Sequence, residues 1–246
     1  MKNTTVVDQA YWDSSYSELA FTMVPPGDEL RKWIELHVPA GNGKTCIEIG
    51  CFPGRYLAVL GTLNYQLHGI DLTPRVVEIG HWLQSQGFST GNFGHGDFLK
   101  YAPSQQYDVV CSFGFIEHFT NWEEVFQKHM QMVAPGGLLV IETPNFRGFL
   151  QNILHRFLDG ENYKRHYIPA MNPQRWKELA EAAGFEVSYC GYFGQFDFWS
   201  DSGQPGFFGK VGRKLLSMNM QRLKRKKPGS ASLSPYCGII ARRKAG

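Results

Sequence analysis

The sequence predicts an α/β protein built on an open parallel β-sheet with helices on both faces. Two observations lead to this fold class. From about residue 41 onward, short apolar segments alternate five times with longer segments of helical periodicity. The 246 residues, of which 43% are hydrophobic and 19% charged, are also enough to bury the core of one large globular domain.

The first two strand–helix units contain clear turn signals. Residues 44–50 form an apolar strand that ends in a glycine turn, and a helix is predicted over residues 55–63. A second strand covers residues 66–71. Pro74 fits the first position of the next helix, because proline is favoured there, and this helix extends to about residue 86.

Three further strands and one helix follow. A weaker third strand is predicted near residues 91–95 and a fourth over residues 107–112. A helix over residues 122–133 comes next, and a proline–glycine segment at residues 134–137 is expected to break it. The fifth strand covers residues 138–143.

The end of the chain has a different pattern. One more helix is predicted over residues 173–184, and strands are predicted over residues 185–193 and 235–242. Between these strands, residues 207–227 have helical periodicity. The predicted apolar stripe of this segment contains Phe207, Phe208, Val211, Leu215 and Met218, and Lys210, Arg213 and Lys214 lie off the stripe. We therefore predict a basic amphipathic helix before the last strand.

The formal net charge of +3 is unevenly distributed. Residues 205–246 contain eleven of the 25 Lys and Arg residues and no acidic residue, so residues 1–204 carry 14 basic against 22 acidic side chains, a net charge of −8. An acidic body suits a cationic ligand, and a basic segment suits an anionic surface or substrate. A solvated, soluble tail would explain the basic segment equally well.

Several classes of protein are disfavoured by composition. No apolar run approaches the roughly 20 residues that span a bilayer, and the N-terminal segment is too polar for a secretory signal. The cysteines lack a Cys-x-x-Cys pair, which argues against a disulfide framework and a zinc site; they are Cys46, Cys51, Cys111, Cys190 and Cys237. We expect a cytoplasmic protein.

The glycine turn after the first strand is a candidate ligand site. Glycine lets a ligand approach the backbone closely, and the following helix offers free N–H groups. A dinucleotide fingerprint requires Gly-x-Gly-x-x-Gly, whereas Gly50 and Gly54 are separated by three residues. Glu48 would repel a pyrophosphate but suits a ligand with an ammonium group.

Two more acidic residues follow predicted strands. Asp71 ends the second strand, where its carboxylate can accept hydrogen bonds from ribose hydroxyls, as it also would in nicotinamide-dependent enzymes. Asp97, followed by Phe98, can accept from an adenine amino group while the aromatic ring covers the base. The alternative for Asp97 is a role as helix cap or turn former.

These motifs, together with residues 113–118 and Pro135-Gly-Gly, resemble those of class I S-adenosylmethionine-dependent methyltransferases. The resemblance covers about residues 40–200 and the final strand. It implies a Rossmann-like, seven-stranded, mostly parallel sheet with an antiparallel last strand, and S-adenosylmethionine as cofactor. The family often has glycine at the position of Phe52, so the sequence departs from the pattern there.

The resemblance implies positions for nine residues around the cofactor. The methionine end would be surrounded by Glu48, Gly50 and Gly54, the ribose and adenine would contact Asp71, Leu72, Asp97 and Phe98, and the space below the sulfonium would be lined by Ser112 and Phe113. Similar enzymes fold an N-terminal segment over the cofactor, and this segment contains Tyr11, Trp12 and Tyr16. Simple packing of these aromatic residues on the sheet remains an equal alternative.

We expect one methyltransferase domain over residues 1–246. Within it, residues 1–40 would form N-terminal cap helices and residues 41–204 the cofactor-binding core. Residues 205–230 would form the basic amphipathic insertion, and residues 231–246 would contain the last strand.

His118 is the candidate general base, because it follows the fourth strand at the edge where parallel sheets bind ligands. Glu117 and His118 could instead only begin the next helix. The pair is also similar to the Glu-x-x-Glu-His motif of metal-assisted relatives, but Gly114 stands at its first position and His166 would have to supply a further ligand. We therefore expect no metal, and we place His166 in a lid over residues 165–169.

The expected acceptor is a small molecule, with a hydroxyl of a sugar or another metabolite as the methylated group. Basic residues before the lid are consistent with an anionic acceptor, although solubility explains them equally well. An RNA methyltransferase is the first alternative, favoured by the basic run at residues 224–227. A second alternative is a lipid-linked acceptor at a membrane contacted by residues 207–227. A cofactor-binding protein without catalysis is the third.

Overall fold

A computed structural model describes residues 4–200, 207–225 and 228–245 of the chain. The side chains of residues 207–213 and of Leu215 also lie outside the description. Six of the residues predicted to be on or beside the amphipathic stripe therefore fall outside the described side chains: Phe207, Phe208, Lys210, Val211, Arg213 and Leu215.

A seven-stranded sheet forms the centre of the protein, in the order β3-β2-β1-β4-β5-β7-β6. The strands are β1 (Thr45–Ile49), β2 (Gln66–Asp71), β3 (Thr90–His95), β4 (Tyr107–Phe113), β5 (Val133–Pro144), β6 (Phe185–Phe193) and β7 (Tyr236–Arg243). Only β7 among them is antiparallel to the rest, because it pairs in antiparallel register with both β5 and β6. The predicted fold class, a Rossmann-like, mostly parallel sheet with an antiparallel last strand, is confirmed.

Helices cover both faces of this sheet. They are α1 (Gln9–Tyr16), α2 (Glu29–His37), α3 (Arg55–Thr62), α4 (Val76–Ser85), α5 (Trp122–Met132), α6 (Phe149–Leu158), α7 (Gly160–Lys164), α8 (Pro173–Ala182) and α9 (Phe207–Lys224). None of the helices in the described part of the chain is long and apolar enough to cross a membrane.

Three details differ from the prediction. Pro74 lies in the turn before α4, which begins at Val76. Residues 134–137 do not separate helix from strand; they belong to the irregular first part of β5, where the pairing with β4 shifts register. Helices α6 and α7 were not predicted, because the polar residues on the inner face of α6 obscure the usual apolar stripe.

Two buried clusters hold the layers together. On one face, Phe126 of α5 and Trp176 of α8 pack against the sheet. On the other face, Trp33, Leu57 and Ile79 connect α2, α3 and α4 to it. Strands buried on both faces explain the near-continuous apolar runs in the sequence. The carboxyl ends of the parallel strands consequently meet at one edge, which is free to bind a ligand.

Candidate active site

An open cavity lies at the carboxyl edge of the sheet. Its walls come from the N-terminal segment and from the loops that follow β1, β2, β3 and β4. The lining residues are Thr5, Val7, Gln9, Trp12, Tyr16, Gly50, Ile70, Asp71, Leu72, Gly96, Asp97, Phe98, Gly114, Phe115, His118 and Phe119. Five of the nine residues predicted to contact the cofactor are in this lining: Gly50, Asp71, Leu72, Asp97 and Phe98.

The two glycines after β1 have different surroundings. Gly50 lines the cavity at φ +68°, and a Cβ atom there would lie 2.3 Å from the ring of Phe115. Gly54 has φ +82° and lies outside the lining, where a Cβ atom would be 2.5 Å from a methyl group of Ile79. Gly50 therefore leaves room for the ring of Phe115, which also lines the cavity, whereas Gly54 allows α3 to begin close to α4.

Asp71 is held in place by the backbone. Its two carboxylate oxygens accept hydrogen bonds from the Phe52 N–H at 3.0 Å and the Thr73 N–H at 2.9 Å. Burial raises the pKa of Asp71, and these N–H groups oppose that effect. Each carboxylate oxygen has lone pairs left to accept ligand hydroxyls, so the fixed carboxylate fits a ribose.

Glu48 lies behind the glycine turn, outside the cavity lining. It is buried in β1, and its Oε2 atom has no hydrogen-bond partner among the described residues. Burial raises the pKa of Glu48 well above its usual range, and the positive charge of Arg55 lowers it again in part. A buried carboxylate oxygen without a partner is costly and fits a cationic group of a ligand.

Asp97 caps a short helix and also borders the cavity. Its Oδ1 accepts a hydrogen bond from the Leu99 N–H at 2.9 Å and caps a short 3₁₀ helix, and its Oδ2 lies 3.5 Å from the Lys100 ammonium. It also lines the cavity together with the buried ring of Phe98. The cap fixes the direction of the carboxylate, which still borders the cavity.

Ser112 and Phe113 lie beside the cavity and outside its lining. Ser112 is fully buried in β4, and its hydroxyl has no hydrogen-bond partner among the described residues. The ring of Phe113 packs against Tyr56 of α3, 5.3 Å away between ring centres. Phe115, which the sequence did not single out as a ligand contact, lines the cavity instead.

Helix α1 covers the cavity and is fixed at both ends. On the N-terminal side, the Val6 N–H donates to the His118 carbonyl at 2.9 Å. On the C-terminal side, the Arg75 guanidinium donates to the carbonyl oxygen of Tyr16. Trp12 and Tyr16 point into the cavity lining, and their rings are 5.3 Å apart.

Phe52 does not line the cavity. Its ring packs against Tyr16 and Phe21, with ring centres 4.5 Å and 5.7 Å apart, and the Arg75 guanidinium lies 5.1 Å above it. The residue that departs from the family pattern therefore anchors the N-terminal segment that covers the site.

His118 lies at the rim of the cavity in a defined tautomer. Its Nδ1 atom is 2.8 Å from the carbonyl oxygen of Arg165. A carbonyl only accepts hydrogen bonds, so Nδ1 carries the proton and Nε2 keeps its lone pair. Burial lowers the pKa of His118 to about 4, although the Arg165 carbonyl favours the protonated form. The ring is therefore neutral at pH 7 and can accept a proton.

Glu117 and His166 lie next to His118. One ligand atom from each of these three side chains lies within 4.8 Å of the others. Glu117 is 0% exposed, neither of its carboxylate oxygens has a hydrogen-bond partner among the described residues, and burial raises its pKa to about 8. His166 donates from Nδ1 to the Asn162 carbonyl at 2.7 Å, and burial lowers its pKa to about 3.

Comparison with known sequences places the chain in a family. The family profile described as "Methyltransferase domain" matches residues 27–189, well over half of the chain. The fold has the same class: solved structures of S-adenosylmethionine-dependent methyltransferases cover most of the chain. The chain therefore belongs to the methyltransferase-domain family and is a class I S-adenosylmethionine-dependent methyltransferase, with S-adenosylmethionine as its cofactor.

Two curated relatives illustrate the sequence similarity. The ubiquinone biosynthesis O-methyltransferase of Leptothrix cholodnii is 27% identical over 173 residues, which are 64% of this chain and 71% of that protein. The probable chloroplastic tocopherol O-methyltransferase of Oryza sativa subsp. japonica is 28% identical over 185 residues, which are 68% of this chain and 46% of that protein. The match therefore spans less than half of the rice protein.

Two solved structures illustrate the similarity of fold. A methyltransferase from Archaeoglobus fulgidus has a TM-score of 0.58 and 18% identity, over 96% of this chain and 100% of that chain. The N-methyltransferase NodS from Bradyrhizobium japonicum, in complex with S-adenosylhomocysteine, has a TM-score of 0.56 and 13% identity, over 96% and 99% of the two chains.

Proposed function

We propose that this enzyme transfers the methyl group to a hydroxyl oxygen of a small organic acceptor, with His118 as general base. The observation that carries this proposal is the position of His118 at the cavity rim, with Nδ1 tied to the Arg165 carbonyl. The names of the similar sequences, O-methyltransferases of ubiquinone biosynthesis and of tocopherol, support a hydroxyl acceptor.

We also propose which residues hold the cofactor. Asp71 would accept from the ribose hydroxyls, because its carboxylate is already oriented by two backbone N–H groups. Leu72 and Phe98 would contact the adenine, with Asp97 at its amino group. Glu48 would face the ammonium group from behind Gly50. Ser112 and Phe113 would support the residues that line the cavity, since neither of them lines it.

The bound cofactor supplies an activated methyl group, so the chain needs mainly to orient the acceptor and to exclude water. His118 accepts the hydroxyl proton at Nε2. A base with a pKa near 4 is neutral at pH 7 but weak. It therefore suits an acceptor hydroxyl that is itself fairly acidic, such as a phenol, better than an aliphatic sugar hydroxyl.

A metal-assisted variant is a second candidate, because Glu117, His118 and His166 converge. A carboxylate oxygen and two imidazole nitrogens are a ligand set that divalent transition metals accept. Backbone carbonyls fix the Nδ1 atoms of both histidines, which is the outer-shell arrangement common around metal-bound histidine. In this variant a cation would hold the acceptor oxygen.

The experiment is a methyl-transfer assay with radiolabelled S-adenosylmethionine against a panel of phenolic and sugar acceptors. It is run with EDTA and with added Mg²⁺ or Zn²⁺. Methyl transfer to a phenol at the same rate with and without EDTA supports His118 as general base. Methyl transfer that EDTA abolishes supports the metal-assisted variant. Transfer to amines alone would refute O-methylation.

A further inference from the structure

Helix α6 exposes large apolar side chains and buries polar ones, the reverse of the usual arrangement. Phe149, Ile153 and Phe157 recur every four residues and so lie on one face of the helix. The side chains of Phe149 and Phe157 are 72% and 75% exposed. A helix on the surface of a globular domain normally turns such a stripe toward the core.

The inner face of α6 is polar, and its hydrogen bonds explain why it is buried. Gln151 donates to the carbonyl of Asp197 at 2.9 Å. Asp159, which ends the helix, accepts from Asn162 at 2.8 Å and from Ser200 at 3.0 Å. Because these bonds fix the rotation of α6, its apolar face is directed outward.

Exposed basic residues occur on α6, just before it and on the neighbouring helix α9. Arg147 and Arg156 are exposed at the start of α6 and on it. The neighbouring helix α9 contacts α6, and its described exposed residues include Lys214 and Arg222. No acidic residue occurs from 205 to the end of the chain, where eleven basic residues are found. Exposed Met218 adds a further apolar side chain on α9.

We propose that α6 and α9 form a docking surface for an anionic lipid bilayer. Protruding aromatic side chains next to lysine and arginine are what peripheral membrane helices use: the rings enter the interface, and the cations meet anionic headgroups. The net positive charge of residues 205–246 argues against a second copy of this chain as the partner, because two such surfaces would repel each other.

The surface lies close to the proposed acceptor side of the cavity. His155, on the inner face of α6, stacks on Phe146 at 3.8 Å between ring centres. Phe146 contacts His166 at 4.6 Å, and His166 contacts His118 at 4.9 Å. Docking through α6 would therefore bring the bilayer to the side of the protein on which the acceptor is bound.

The test is vesicle co-sedimentation of the full chain with vesicles of phosphatidylglycerol and phosphatidylcholine, and with vesicles of phosphatidylcholine alone. Binding to the anionic vesicles is expected, and it should weaken as NaCl is raised to about 0.5 M. The double variant Phe149→Ser/Phe157→Ser should lower the vesicle partition coefficient at least about tenfold. The matched control is Leu36→Ser, which removes an equally exposed apolar side chain (77%) on α2.

Charge is tested separately by Arg156→Glu, with Lys44→Glu as control. Loss of vesicle binding in Arg156→Glu but not in Lys44→Glu is expected. Absence of wild-type binding to anionic vesicles, or equal binding by the double variant, would overturn the proposal. The proposal would also be overturned if sedimentation velocity showed that the wild-type protein is a dimer and the double variant a monomer. S-adenosylmethionine titration of the same variants should be unchanged, which separates a failure of docking from a failure of the proposed enzyme.

Discussion

The two sides of the sheet edge are built in different ways. On the side proposed to bind the cofactor, Asp71 ends β2 and Asp97 follows β3 by two residues, and each carboxylate accepts a hydrogen bond from the backbone N–H of the residue two positions later. On the side proposed to bind the acceptor, His118 and His166 come from segments that are far apart in the sequence, and their Nδ1 atoms donate to the carbonyls of Arg165 and Asn162, respectively. Local sequence contributes to the direction of both aspartates, whereas tertiary packing brings His118 next to Arg165 and His166.

Substitution of His118 should have the largest effect on activity. His118→Gln removes the proposed base and should lower kcat by about 10² to 10⁴, the range typical of general-base catalysis. The affinity for S-adenosylmethionine should change little, because the cofactor is proposed to contact the other side. Steady-state kinetics with calorimetric titration checks both values.

His81→Gln, on the exposed part of α4, is the matched control and should behave as wild type. Full activity in His118→Gln would exclude the base. Equal losses of kcat and cofactor affinity would show that the two sides are not separable.

Asp71→Ala tests the cofactor side. A hydrogen bond to a charged acceptor contributes about 1.5–3 kcal/mol, so the affinity for S-adenosylmethionine should fall at least about tenfold. Asp71→Asn, which retains one acceptor oxygen, should lose less. Calorimetric titration gives the affinities, and thermal unfolding confirms that the fold is intact. Glu181→Ala, at an exposed position of α8 outside the cavity lining, is the control, and an unchanged affinity in Asp71→Ala would contradict the assignment to ribose.

The buried carboxyl of Glu117 predicts how stability depends on pH. Folding raises its pKa from 4.5 to about 8, so the protonated form is favoured in the folded state. Its contribution to stability is therefore complete below about pH 4.5 and is lost as the pH rises toward 8. Glu117→Gln does not titrate, so it should gain about 1–3 kcal/mol relative to wild type between pH 5 and pH 8.

Urea unfolding of both proteins at pH 5, 6.5 and 8 measures this difference. A difference that does not vary with pH would contradict the raised pKa. A variant that is instead less stable, by an amount that disappears when wild type is treated with EDTA, would identify the cluster as a metal site.

Asp97→Ala should have the smallest effect. It removes the cap on the Leu99 N–H, which is worth about 1 kcal/mol of stability. It should also weaken cofactor binding about threefold to tenfold, through loss of one acceptor at the adenine. Loss of stability alone would leave the cap as the only role of Asp97.

The same contrast explains what the sequence could predict. The parallel sheet follows from apolar runs and turn residues, and Gly50 and Asp71 could be located because they lie at the ends of predicted strands. The sequence raised His166 as a further ligand beside Glu117 and His118, but it could not establish that the three side chains converge, since this depends on where the segment after α6 folds. The sequence also could not predict that Ser112 lies outside the cavity lining, because the strand pattern does not show which side chains reach the cavity.

Helix α6 could not be predicted from the sequence for a different reason. Its apolar residues have helical spacing, but Gln151, Asn152 and His155 interrupt the pattern expected of a buried helix. The buried Gln151 donates to the distant carbonyl of Asp197, and the buried His155 lies 3.3 Å from the carboxylate of Asp159 one turn further on. Such partners are visible only in the folded protein.

The proposed cofactor site is decided by calorimetric titration of the wild-type protein and of Asp71→Ala with S-adenosylmethionine and S-adenosylhomocysteine. NADH is the control ligand, since it also presents a ribose to a carboxylate after a second strand. Micromolar binding of the first two ligands, weakened in Asp71→Ala, and no binding of NADH is the predicted result. Binding of NADH, or equal affinity of both proteins for S-adenosylmethionine, would contradict the account.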